Sequence, residues 1–305
     1  MNQPSATPVA RPALPKQNIL RIQAAKFIES PTAVIGVLIL LTAGIVATLA
    51  PWIAPQNPYD LMQIDIMDNM LPPGAEMMSG QVAWLGTDAQ GRDMLSAILY
   101  GLRISLSVGL IAVMIAGAIG ATVGVAAAFI GGRFEAIVMR IVDLHLAFPS
   151  ILIALVLLSA FGRGIDKVIL ALVIVQWAYY ARTVRGSALV ETRKDYIAAC
   201  SVLQLPRWRV LFRHLLPNCI PPLIVVATVQ VAGAILLEST LSFLGAGVPV
   251  TEPSLGMLIS QGYSYMLSGK YWIAVFPGVM LVLVIIAINL VGDRLRIVLN
   301  PRLSS

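Results

Sequence analysis

Residues able to do covalent or metal chemistry are few in this chain and badly spaced for it. His145 and His214 are the only histidines, and Cys200 and Cys219 the only cysteines. Neither pair falls at metal-ligand spacing, so the cysteines read as free thiols. The sequence holds no G-x-x-x-x-G-K-[ST], H-E-x-x-H, G-x-S-x-G or C-x-x-C. That removes nucleotide binding, zinc hydrolysis and serine or dithiol chemistry from the readings. What remains is a handful of polar residues set in apolar runs. Glu238, in GAILLESTLSFLG beside Ser239 and Thr240, is an ionisable group that either serves function or accepts structural hydrogen bonds. Gln176, Thr228 and Gln230 are candidates for a polar path or gate, with helix packing as the plainer reading. No nucleophile–base pair supports an intramembrane enzyme.

The elements that must position these residues follow from composition. Of 305 residues 58% are apolar and 12% charged, against about 45–50% and 25% in soluble domains. A soluble fold would lack polar surface to cover itself, so the expected fold is all-α, a polytopic membrane protein with six transmembrane helices. Charge-free windows locate them. One lies between Glu29 and Asp60; 29 uncharged residues separate Arg103 from Arg133, and 19 separate Asp143 from Arg163. Further windows run from Asn218 to Leu237 and from Tyr271 to Gly292. Each can cross the ~30 Å hydrocarbon core, which takes about 20 residues.

The segment between Lys167 and Arg182 has only 14 uncharged residues, and charge parity decides it. If it crosses, one side gathers 16 of the 21 basic residues, and the positive-inside rule makes that side cytoplasmic with both termini. The net charge of +6 is then an orientation signal that needs no nucleic-acid partner. The N-terminal Pro- and Ala-rich stretch reads as leading into an uncleaved span rather than a signal peptide. The expected organisation is a cytoplasmic tail 1–30, a first helix 31–54, and an acidic extracytoplasmic loop 55–103. A five-helix core 104–292 and a cytoplasmic tail 293–305 complete it. Met94, Leu95, Ile98, Leu99 and Leu102 share a helical face that fits an interfacial helix before the second span. Ala116, Gly120, Gly124 and Ala128 form a small-residue stripe for close helix packing, within the chain or in a dimer. Arg140 and Asp143, three apart, are expected to pair with each other.

Between the fourth and fifth spans lies RTVRGSALVETRKDYIAACSVLQLPRWRVLFRHLLPN, far longer than a connector needs. Tyr196, Ala199 and Leu203 share one face of a first helix ending near Gln204 to Pro206. A second helix from about Arg207 carries Trp208, Leu211, Phe212 and Leu215 on an apolar stripe and stops at Pro217. Two short helices with a basic rim suit a groove on a cytosolic protein, or an amphipathic hairpin on anionic lipid.

This segment resembles the EAA loop of bacterial ABC importer permeases. Ala198, Ala199 and Cys200 stand at the E-A-A triplet, Gln204 at the glycine, His214 at the isoleucine, and Leu216-Pro217 at the closing pair. LGTDAQGRDMLSAILYGLRISLSVG, LSFLGAGVPVTEPSLGMLIS and the segment from Phe276 to Leu303 are similar to the C-type permeases of dipeptide and oligopeptide importers. The G-T-D-x-x-G-R-D stretch (Gly86, Thr87, Asp88, Gly91, Arg92, Asp93), with the closing G-D-x-L-R stretch from Gly292 to Arg296, is fairly specific. The resemblance implies a type I ABC importer permease in the bacterial inner membrane, itself no enzyme. It implies half of a pore for peptides working by alternating access, beside a homologous B-type subunit. It also implies two cytosolic ATPases that bind the ATP and magnesium, an extracytoplasmic solute-binding protein, and membrane lipid. The EAA-like loop, 187–218, would dock on an ATPase through Asp195, Tyr196, Ala198, Ala199, Gln204, Arg207, Arg209, Arg213, Leu216 and Pro217. The outer loop 245–270 would join the binding-protein platform or cap the cavity. The chain itself would bind no cofactor or metal.

Overall fold

The computed structural model describes residues 19–60, 62–249 and 251–299. Arg11, Lys16 and Arg302, part of the cytoplasmic charge expected above, lie outside them. The chain is helical from Ile19–Ile28 (α1) into Pro31–Ile53 (α2), where Pro31 occupies the first turn and Ser30 Oγ accepts from Ala33 N. Such a start needs no N–H from proline and satisfies an orphan donor. The loop that follows holds a two-residue hairpin, Ala75–Glu76 (β1) with Val82–Ala83 (β2).

Met94–Ile130 (α3) is one unbroken helix of 37 residues, about 55 Å long. The expected interfacial helix is therefore the first turns of a span that rises beyond the hydrocarbon core. Met94, Ile98, Leu99 and Leu102 are buried inside the protein, with Leu95 half-buried, rather than laid on lipid. Gly132–Ala147 (α4) and Ser150–Phe161 (α5) follow, then Ile165–Glu191 (α6), Asp195–Val202 (α7) and the single turn Arg207–Arg209 (α8). Ile220–Phe243 (α9), Leu255–Tyr263 (α10) and Trp272–Leu299 (α11) complete the chain.

Among the described residues, α2, α3, α6, α11 and the helix running from Arg207 to Phe243 are long and apolar enough to cross a membrane. The pair α4 and α5 is long and apolar enough only when the two are taken together, and it is bent by 90°, as in a broken span or a re-entrant loop. The thin window at 168–181 thus becomes a firm 27-residue helix, and the third window, ample by length, is the broken one. Proline accounts for the break: Pro149 has no N–H and bars Phe148 from the helical region, and Phe148 is extended at φ −87°, ψ 141°. The 12 residues of α5 reach about 18 Å, short of a crossing alone.

The core is the α3–α6 pair. A Cβ at Gly120 would run into the Trp177 carbonyl and sit 2.9 Å from Ala181 N, and one at Gly124 would meet the Ala181 backbone. The small-residue stripe is therefore spent on packing inside the chain. Around this pair stand α9 and α5, with α2 outside on α11 and α10 closing the end at which α3 begins.

Candidate functional site

Three clusters collect the residues of interest. The first is built on the G-T-D-x-x-G-R-D stretch. Asp88 and Arg92 are 0% and 1% exposed in their side chains and meet at 2.6 Å, Nε to Oδ2. Asp88 Oδ1 accepts from Arg92 N and Gln90 N, closing the turn, and Arg92 Nη2 donates to Gln261 of α10 at 3.1 Å. Thr87 Oγ1 donates to Asp68 O and accepts from Leu71 N, while its carbonyl takes Trp272 Nε1 of α11 at 3.1 Å. Gly86 and Gly91 sit at φ +79° and +82°, with a Cβ at Gly86 2.8 Å from Trp272 and one at Gly91 driven into Asp65 O. Only glycine fits either place. Asp93 caps α3, its Oδ2 accepting from Ser96 N at 2.8 Å and Ser96 Oγ at 2.6 Å. Burial pushes the Asp93 carboxyl up against those bonds. Gln56 Oε1 takes Asp93 N, and Ser96 Oγ takes Gln56 N. The motif is a clasp that fixes the loop after α2 to α3, α10 and α11. Its partners Gln56, Ser96, Gln261 and Trp272 carry no sequence signal of their own beyond the D-x-x-S cap.

The membrane residues do not form one site. Glu238 is fully buried and accepts from Ser105 at 2.9 Å, Ser242 at 2.9 Å and Ser239 at 3.3 Å. Hydroxyl donors on both carboxylate oxygens tie α9 to α3, so of the two readings the geometry takes the structural one. Gln176 of α6, also buried, donates Nε2 to the Gln230 carbonyl at 3.2 Å. Thr228 is separate: it lines a 560 Å³ groove between α3, α6 and α9 with Met114, Gly117, Thr122, Tyr180 and Ile224. Thr122 and Thr228 turn their hydroxyls back onto Ala118 O and Val225 O, leaving the groove wall apolar.

On the arginine-rich end, the expected Arg140–Asp143 pair is replaced by Asp143 with Arg182 and Glu135 with Arg185, joining α4 to α6. Both carboxylates find guanidinium groups across the helix contact instead of along their own helix. In the loop after α6, the inward face of α7 is Ile197 and Cys200, while Asp195, Ala198, Ala199 and Leu203 face solvent. Of the expected face through Tyr196, Ala199 and Leu203, Tyr196 is half-buried and the other two are exposed.

The second helix also differs from expectation. It does not stop at Pro217, but passes from α8 through a π-helical turn, Val210–Leu215, and a 3-10 turn, Leu216–Cys219, straight into α9. Pro217 is tolerated because it stands at the start of the 3-10 turn, where its missing N–H costs nothing. The stripe divides: Leu211 and Leu215 point inward, while Trp208 and Phe212 are 64% and 46% exposed. With exposed Val202, Leu203, Arg207, Arg209 and Arg213 they form an apolar surface with a cationic rim, Arg209 lying 5.7 Å over the Trp208 ring. The two thiols, Cys200 and Cys219, are free and buried beneath it.

This surface is coupled to both flanking spans. Tyr196 Oη donates to Glu191 at 2.8 Å and accepts from Asn218 Nδ2 at 3.2 Å; Lys194 holds the other Glu191 oxygen at 2.6 Å. Burial and the bond to Glu191 push the Tyr196 phenol up to about 12, so it stays a donor at physiological pH. Between the helices Gln204 adopts φ +51°, the left-handed conformation for which the EAA pattern provides glycine. A side chain there costs roughly 1–2 kcal/mol. Gln204→Gly is therefore expected to stabilise the protein by about 1 kcal/mol after the entropy cost of glycine. It should raise the thermal midpoint in detergent; a fall would show the turn to be held by the glutamine itself.

Residues 118–305 match the family described as binding-protein-dependent transport system inner membrane component, and residues 20–73 match the N-terminal TM domain of oligopeptide transport permease C. A putative peptide transport system permease protein of Brucella suis is 40% identical over 269 residues, 88% of this chain and 87% of that protein. The dipeptide transport system permease protein DppC of Escherichia coli is 39% identical over 278 residues, 91% of each chain. The di/tripeptide transport system permease protein DppC of Pseudomonas aeruginosa is 34% identical over 306 residues, 100% of this chain and 99% of that one. Among solved structures, an inward-facing conformation of the MetNI methionine ABC transporter shares the fold. Its TM-score is 0.55 at 22% identity, covering 67% of this chain and 97% of that one.

Proposed function

The chain belongs to the family of binding-protein-dependent transport system inner membrane components, and from that premise we propose that it is half of the passage of an ATP-driven importer of short peptides. The observation that carries the mechanism is the exposed surface from Val202 to Arg213, hydrogen-bonded through Tyr196 to the end of α6 and continuous with α9. A cytosolic ATPase that grips this surface, with ATP and magnesium bound on the ATPase, can move α6 and α9 together. Such a rigid-body switch would open the passage alternately to the two sides. The arginine-rich ends of α4 and α6 lie in the cytoplasm in this reading, together with both termini.

The second half of the passage is a homologous B-type subunit, and a second ATPase binds that half. The apolar groove between α3 and α9 belongs to the wall: with few hydrogen-bonding groups it would let a peptide pass without trapping it. Gln176 and Gln230 hold α6 to α9 behind that wall, and Glu238 holds α9 to α3. Exposed Met62, Ile66, Met67, Met78 and Trp84 on the outer loop, with Leu267 beyond α10, offer the solute-binding protein an adaptable apolar platform. The substrate class rests on the names of the relatives.

The test is ATP-dependent uptake of a labelled dipeptide by proteoliposomes holding the complete importer and its binding protein. Uptake requiring this chain supports the reading, and none for any di- or tripeptide overturns the substrate. A Thr228→Cys importer adds the passage. A water-soluble maleimide is expected to label it and to slow uptake at least tenfold, whereas resistance of the Thr228→Cys thiol to labelling would take the groove out of the aqueous path.

A further inference from the structure

Methionine is crowded into one short stretch of this chain. Five of the 12 methionines, Met62, Met67, Met70, Met77 and Met78, lie within residues 62–78, in the loop between α2 and α3. The structure sorts them by exposure. Met62, Met67 and Met78 are 97%, 77% and 71% exposed, while Met77 is 4% exposed and Met94 and Met257 pack into the core at 0% and 4%. The three outward thioethers therefore fill no gap in the protein, which is the usual work of methionine. Met114, at 65%, stands on the spanning helix α3 instead.

An aspartate presents each of the three. Met62 N donates to Asp60 Oδ1 at 3.0 Å, Met67 N to Asp65 Oδ1 at 2.9 Å and Met78 N to Asp68 Oδ1 at 2.8 Å. These bonds fix the backbone while the side chains project. Met62 and Met78 line one cavity of 640 Å³, which Asp65 and Asp68 also line. No Lys, Arg or His occurs between Glu29 and Arg92, so the thioethers stand in a field of carboxylates. That field turns away anions but not a neutral oxidant such as hydrogen peroxide. Thioethers of this exposure are the ones that two-electron oxidation selects.

We propose that Met62, Met67 and Met78 are a reversible oxidation site that sets how well this loop holds its partner. The sulfur lone pair attacks one oxygen of hydrogen peroxide, the O–O bond breaks, an S–O bond forms, and water leaves with both peroxide protons. Each sulfur loses two electrons and the peroxide gains them. The sulfoxide is polar where the thioether was apolar, and the neighbouring carboxylates offer its oxygen no donor. A partner seated on Ile66, Met67 and Trp84 would bury that oxygen unpaired. The effect on docking rests on the reading that the solute-binding protein sits here; the oxidation itself does not.

The experiment treats the complete importer with hydrogen peroxide, maps sulfoxides by mass spectrometry and measures the affinity of the solute-binding protein. Met62, Met67 and Met78 should oxidise at least about tenfold faster than Met77, Met94 and Met257. Affinity should fall at least about tenfold, and methionine sulfoxide reductases should restore it. Met62→Leu/Met67→Leu/Met78→Leu keeps the apolar surface, so it should bind normally and be indifferent to peroxide. Equally fast oxidation of the buried methionines would overturn the site. A peroxide-induced loss that persists in the leucine variant, or that the reductases do not reverse, would overturn the switch. Met62→Glu/Met67→Glu/Met78→Glu separates the two readings. If glutamate abolishes docking but the sulfoxides leave it unchanged, the switch fails alone; if neither changes it, the reading of this loop as a docking surface fails with it.

Discussion

Arg92→Ala is expected to leave a protein that inserts but does not hold the loop between α2 and α3, with a loss of about 3–5 kcal/mol. The guanidinium is 1% exposed and is the charged partner of Asp88, which is 0% exposed. Alanine would strand that carboxylate without a counter-charge and remove the bond that reaches Gln261 of α10. The desolvation cost of the lone carboxylate, more than the lost attraction, sets the size of the effect. Arg92→Lys should recover only part of it, since an ammonium can meet Asp88 but lacks the fork that also reaches Gln261. The measurement is the thermal midpoint of the detergent-purified importer together with proteolysis of residues 55–93 in spheroplasts. A wild-type midpoint and an intact loop in Arg92→Ala would show that the clasp is held elsewhere.

That clasp marks the boundary of what the sequence makes legible. The G-T-D-x-x-G-R-D stretch stands out as a string, but its purpose depends on Gln261 and Trp272, whose separation in sequence no spacing rule bridges. Spans are legible because hydrocarbon thickness imposes a length, and arginines must lie on one side of it. That logic holds for the thin segment at 168–181, where α6 extends past its apolar window because Arg182 and Arg185 find Asp143 and Glu135 on α4. It misses the break at Pro149, since a charge-free window measures length and is blind to direction. The division of the stripe through Trp208 escapes it for a related reason. Apolar periodicity finds one stripe but cannot divide it, so Leu211 and Leu215, which turn inward, read together with Trp208 and Phe212, which face out. The π-helical turn at Val210–Leu215 rotates the register within that same stretch, which a constant period cannot follow. Glu238 shows the converse: an ionisable residue in an apolar run invites function, and only the three serine hydroxyls around it reveal a structural role.

Charge reversal at Arg207, Arg209 and Arg213, each to Glu, is expected to abolish transport while sparing the fold. All three side chains are exposed, and none has a carboxylate partner among the described residues. Their replacement should therefore shift stability by no more than about 0.5 kcal/mol each. Insertion and thermal midpoint stay near the parent. The effect lies in docking: three cations around Trp208 and Phe212 become three anions, so a partner groove of opposite sign to the present rim meets like charge. Uptake should fall at least tenfold, and the ATPases should no longer accelerate when the loaded binding protein arrives. Because the rim is solvent-exposed, part of the loss should be recovered at high salt, where the screening length falls from ~8 Å to ~3 Å. Tyr196→Phe separates holding from transmitting. It leaves the cationic rim intact but removes the donor to Glu191, so the ATPases should still bind while the ratio of peptide moved to ATP hydrolysed falls. Unchanged uptake in the triple variant would remove this surface from the coupling path, whereas loss of uptake with full ATPase binding would move the role of the arginines from docking to the transmission of movement into α9.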